Sequence, residues 1–113
     1  MKVTELVPTP MDRIRFSYVD YKKVPEGSGC YALTTFDGFI LYVGLASRFV
    51  DRFNTHLQTP EKVNPTEDGK AIWFYFLPSP THQTAMLERT WLNQFANMHG
   101  RKPILNKIDS PVS

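Results

Sequence analysis

Glu88 falls in a helical row with Ala85, Leu92 and Phe95, which puts a carboxylate among positions that should face a core. A buried carboxylate that lacks its partner destabilises a fold by about 3–5 kcal/mol. Three arrangements resolve the conflict: Glu88 sits at the core edge, pairs with Arg52 or Arg48, or holds a cation. Arg48, Arg52 and His56 recur every four residues and form one row along a second helix, beside an apolar row of Leu45, Phe49, Phe53 and Leu57. Tyr31 and Tyr42 lie in β-rich runs, where tyrosines commonly occupy the edge of a core. Cys30 alternates to the face opposite Tyr31 and reads as a small buried apolar residue rather than a nucleophile. His82 and His99 lie at opposite ends of the helix that carries Glu88 and cannot share a metal. The chain has no Gly-rich phosphate loop, Ser/His/Asp arrangement or zinc spacing.

These groups need a frame. Residues 29–36 and 39–44 read as two strands, with Asp37-Gly38 between them as a two-residue type I′ hairpin turn. That turn sets Phe36 opposite Phe39, Leu33 opposite Tyr42 and Tyr31 opposite Gly44. Tyr31 and Tyr42 then project from one face as diagonal neighbours, and Gly44 leaves open space over the Tyr31 phenol. Ser47 reads as the N-cap of a helix running to about Gln58. Residues 59–70 are polar, with two prolines and a glycine, and read as a mobile surface loop. Residues 71–77 are almost wholly apolar, as in a central strand buried on both faces. A helix from about His82 to His99 follows, with Thr81 as N-cap and with Gly100 and Pro103 as its stop. Upstream, Arg13 to Val19 alternates like an edge strand.

The 113 residues fit one domain, with residues 1–28 as an N-terminal extension and residues 29–106 as the motif core. An apolar fraction of 42% excludes a chain that is disordered throughout. The single cysteine rules out an intrachain disulfide and suits a reducing cytoplasm. No apolar stretch is long enough for a membrane span, and the N-terminus lacks the apolar region of a secretory signal. A net charge of +2 permits a nucleic-acid partner without demanding one. Nothing in the sequence marks an oligomer interface.

In order, Gly29-Cys30-Tyr31, Tyr42-Val43-Gly44, Arg52 eight residues after that glycine, His56 four later, Glu88 on a later helix and Asn106 resemble the GIY-YIG nuclease family. Cysteine takes the apolar middle position of the first tripeptide, and valine replaces isoleucine in the second. The resemblance implies an α+β fold, a central antiparallel sheet of three or more strands flanked by helices. It implies a metal-dependent endonuclease that hydrolyses phosphodiester bonds in DNA, with Mg²⁺ or Mn²⁺ held by Glu88 as sole protein ligand and no small-molecule cofactor. Arg52 would donate to the phosphate, Tyr31 would act as base or orienter of the water, and His56 would take its proton. Tyr42 would bond the phosphate or water, and Asn106 would fix the geometry. Leu45 stands where many members carry a lysine, a loss that Arg48 would offset in part. Arg48, Arg101, Lys102 and Lys107 are the expected backbone contacts to DNA. Leu45 and the low net charge favour an alternative, a catalytically weak or inactive nuclease-like module that binds nucleic acid; the complete set of Tyr31, Tyr42, Arg52, His56 and Glu88 opposes it.

Overall fold

The computed structural model describes residues 1–106. The apolar run after the 59–70 segment forms a strand, β4 (Trp73–Pro78), that is central as its composition predicts. It lies between β1 (Asp12–Arg15) on one side and β2 (Gly29–Thr34) on the other, and β3 (Ile40–Ala46) completes the order β1-β4-β2-β3. All three pairings are antiparallel. Helices α1 (Phe49–Leu57), α2 (Pro60–Val63) and α3 (Thr81–His99) flank the sheet, so the protein is α+β, as expected.

Strand alternation splits the core into two layers. Tyr31, Leu33, Tyr42 and Phe74 pack with Phe49, Phe53 and Leu57 of α1. Cys30, Ala32, Val43 and Tyr75 pack with Trp91 and Phe95 of α3. Gly29 is required by the packing: a Cβ there would lie 2.2 Å from the Leu77 carbonyl oxygen and 2.5 Å from the Phe49 ring.

The hairpin differs from the expected two-residue turn. A type I′ turn needs positive φ at both central residues, and among the described residues no non-glycine has it. Gly38 does, at φ 89°, and it donates its N–H to the Thr35 carbonyl at 2.9 Å. The loop is therefore Phe36-Asp37-Gly38, one residue longer, and Phe36 projects into solvent instead of facing Phe39. A bulge between Leu33 and Thr34 on the register, with Leu41 as the extra residue on β3, cancels that difference. Leu33 consequently does pair with Tyr42, and Tyr31 with Gly44.

Three further boundaries move. β3 runs on to Ala46, so Leu45 belongs to a strand and packs on the α3 layer, apart from Phe49 and Phe53. α1 then begins at Phe49 with Arg48, not Ser47, as N-cap. α3 begins at Thr81 with Pro80 as N-cap, and its core row is Thr84, Trp91 and Phe95; Ala85 and Met98 are exposed. The 59–70 segment is more ordered than a plain loop, since it holds α2 and a short bridge between Thr66 and Gly69. The stop at Gly100 is as expected, with the glycine at φ 71°. Among the described residues no helix is long and apolar enough to cross a membrane.

Candidate active site

The β2–β3 register delivers the two tyrosines to one face, and α1 delivers His56 against them. Tyr31 Oη lies 2.6 Å from His56 Nε2. The Tyr42 ring meets His56 edge-on at 4.9 Å and lies 6.0 Å from the Tyr31 ring. Behind Tyr31, Phe74 of β4 stacks at 4.9 Å with only 12° between the rings. Tyr31 is fully buried, and 4% of the surface of Tyr42 and of His56 is exposed.

Burial governs the protonation of this pair. It holds His56 down to about 3, helped by the cationic Lys62 and Arg52. It pushes the Tyr31 phenol well above its usual value, with Tyr42 adding to the rise and Arg52 opposing it. Near neutral pH both groups are therefore uncharged. The contact is one hydrogen bond between neutral partners, and the imidazole tautomer sets which of them donates.

Gly44 does not leave open space over the phenol, as the sequence suggests. A Cβ at Gly44 would sit 2.6 Å from Tyr31 Oη and 2.7 Å from its Cζ. The missing side chain is filled by the phenol itself, so Gly44 sets where the hydroxyl rests.

Glu88 comes from the other layer. The Cys30 thiol donates to the Thr84 carbonyl at 3.2 Å, and the Glu88 peptide N–H also faces that thiol. The middle residue of the first tripeptide thus anchors the turn of α3 that carries Glu88, as 84, 88, 91 and 95 share one side of the helix. Glu88 is half-buried, and its charge acts on both Cys30 and Tyr31. Burial raises the Cys30 thiol to about 12, which fits an inert packing residue. Arg48 pairs with Asp51 at 3.6 Å. Arg52 is instead placed where its charge reaches Tyr31 and His56.

Asn106 closes the open edge of β3. Its Oδ1 accepts the Val43 N–H and its Nδ2 donates to the Val43 carbonyl, each at 2.8 Å. One side chain so replaces a neighbouring strand for the middle residue of the second tripeptide. Leu105 N–H adds a bond to the Leu41 carbonyl at 2.9 Å.

The remaining candidates lie apart. Arg48 is exposed and paired with Asp51, away from the tyrosines. Arg101 pairs with Asp68 at 2.8 Å, and Lys102 is exposed beside it, bordering a cleft of about 340 Å³ with Asp68 and Asn106. Lys107 lies outside the described residues.

The contacts of Lys62 with Tyr42 and of Phe74 with Tyr31 are not foreseen from the sequence. The Lys62 ammonium sits 4.9 Å over the Tyr42 ring, which brings a cation to the tyrosine cluster although Leu45 supplies none. Nothing local in the 59–70 segment marks this, because the contact spans the tertiary fold. Phe74 reads as core and is core, but its stacking also fixes the plane of the Tyr31 ring.

Among the described residues no three of His, Cys, Asp and Glu gather as a metal cage. The donor set fits a different mode, a hard divalent cation on one carboxylate that retains waters and takes substrate oxygens. No protein-family model matches this chain, and a search of curated proteins finds no match.

Proposed function

We propose that the protein is a metal-dependent endonuclease that hydrolyses phosphodiester bonds in DNA. The observation that carries this reading is the 2.6 Å contact between Tyr31 Oη and His56 Nε2, held between Tyr42 and Phe74, with the charges of Arg52 and Glu88 acting on the phenol. Phosphodiester hydrolysis needs an attacking water, a stabilised phosphate and a neutralised leaving oxygen. Glu88 would hold Mg²⁺ or Mn²⁺, which when bound would supply the charge for the last two. Arg52 donates to the non-bridging oxygens, where its planar fork matches the phosphate. Tyr31 orients the water through its oxygen and takes its proton as its own passes to the neutral His56 Nε2. The resting proton stays on the phenol, because burial makes His56 a weak base and Tyr31 a weak acid. Arg52 favours the phenolate and so lowers the barrier to that transfer. Asn106 holds Val43, and through the strand its neighbours Tyr42 and Gly44, in place.

A second reading keeps the binding and drops the cutting. The full burial of Tyr31, with Gly44 taken up by the phenol, favours it. Supercoiled plasmid incubated with Mg²⁺ or Mn²⁺, against an EDTA control, separates the two. Nicking that needs metal and is abolished in a folded Glu88→Ala variant supports the nuclease. Undiminished cutting by that variant removes Glu88 as metal ligand, and DNA binding without any nicking leaves the second reading.

A further inference from the structure

The cross-strand pairs Arg13–Tyr75 and Arg15–Trp73 put four side chains on the sheet face opposite Tyr31 and Tyr42. α3 packs over β2 and β3 on that face and Tyr75 is buried beside it, while Arg13, Arg15 and one side of Trp73 at the outer part remain accessible. Both arginines are exposed and Trp73 is half-buried. Phe36, which the longer hairpin loop turns outward, is 67% exposed, with its ring 6.4 Å from Trp73.

These side chains are held in place. The Arg13 guanidinium lies 3.9 Å over the Trp73 ring, and its Nη1 donates to Tyr75 Oη at 3.0 Å. Arg15 lies 5.8 Å from the same ring. Trp73 Nε1 donates to the Phe36 carbonyl at 3.2 Å, tying the loop to the sheet. Among the described residues neither arginine forms an ion pair. A stacked guanidinium keeps most of its N–H groups directed outward, and little side-chain freedom remains to be lost when an anion binds.

Charged side chains on an edge strand also deter edge-to-edge pairing. That accounts for two arginines on β1. It does not account for their ordering over Trp73, or for a phenylalanine ring presented to solvent beside them. Cations that meet phosphates, interleaved with aromatic faces that stack bases, are the recognition chemistry of single strands. An acidic peptide would use the cations and leave the rings idle.

We propose that this outer part of the face binds single-stranded DNA, with Arg13 and Arg15 on successive phosphates and a base against Phe36. Binding here needs neither Glu88 nor a metal, so the inference does not depend on cleavage. The test is a titration of the protein in EDTA with a short labelled oligothymidylate, followed by anisotropy and by tryptophan emission. Trp91 is buried, with its Nε1 bonded to the Pro8 carbonyl, so Trp73 is the tryptophan that should respond. Quenching on binding is expected. R13A/R15A should weaken binding about 10-fold or more and reduce the slope of log K against log salt by about 1.4, the equivalent of two phosphate contacts. F36A should weaken binding with the slope unchanged. Thermal melts show that each variant is folded; all three positions are exposed. Unchanged affinity in R13A/R15A, no Trp73 response, displacement by oligoglutamate as effective as by unlabelled oligothymidylate, or equal arginine-sensitive binding of a duplex would each overturn the proposal. Plasmid nicking, measured separately, reports on the nuclease reading alone.

Discussion

Replacing Gly44 by Ala perturbs the site through a single methyl group. The new Cβ would stand 2.6 Å from Tyr31 Oη, 2.7 Å from its Cζ and 2.8 Å from Tyr42 Cε2, against ordinary contacts of 3.4 Å or more. Relief requires the phenol oxygen to move by about 0.8 Å, the gap between those two distances. No direction is free. Phe74 stacks flat against the ring, and the hydroxyl is bonded to His56 at 2.6 Å. Overpacking of this kind destabilises by about 1–3 kcal/mol. A displacement approaching 1 Å at a reacting group lowers rate by about 10²-fold. Denaturant unfolding reads the first effect, and nicking of supercoiled plasmid under saturating protein reads the second. The backbone at Gly44 is not left-handed, so strain in φ does not contribute. A Gly44→Ala protein with wild-type midpoint and wild-type nicking rate would refute the reasoning, because the phenol could then not be where the structure has it.

Other consequences are equally direct. His56 is held down to about 3 against 6.5 for the free side chain, so the unfolded chain takes up a proton that the native state refuses. Stability should be full above about pH 6.5 and fall toward pH 3, by at most about 1.4 kcal/mol per pH unit from this group; urea midpoints across that range should fall less in His56→Gln. Tyr31 has the opposite sense, since its raised value means stability is lost as pH rises past the ordinary phenol range near 10. Asn106→Ala leaves both backbone groups of Val43 without their side-chain partner and should cost about 1–3 kcal/mol in the same assay; an unchanged midpoint would show that the β3 edge needs no partner there.

Much of this arrangement was legible in the sequence. The alternation of two strands around Asp37-Gly38 was enough to place Tyr31, Tyr42 and Gly44 correctly, even though the turn type was not. Asp-Gly signals a glycine at positive φ and does not say whether the loop holds two residues or three; the bulge at Leu41 restores the register by coincidence of count. Leu45 was misread because its spacing of four from Phe49 imitates a helical row, while the strand in fact continues past Gly44. The row containing Glu88 holds only in part: Phe95 is buried and Glu88 half-buried, but Ala85 is exposed and Thr84 takes its place in the core. Lys62 over Tyr42, the two bonds from Asn106 to Val43, and Arg13 stacked on Trp73 all join residues far apart in the chain. Periodicity carries no signal for such contacts.

The central claim is that Tyr31 moves the proton of the attacking water with His56 as its partner. Tyr31→Phe removes the hydroxyl and keeps the ring that stacks on Phe74. Its single-turnover rate of plasmid nicking in Mg²⁺, measured beside its DNA affinity across neutral to alkaline pH, tests this most directly. A rate lower by about 10²–10⁴-fold with hardly changed affinity is expected. A Tyr31→Phe protein that nicks at near wild-type rate with the same pH profile would contradict it.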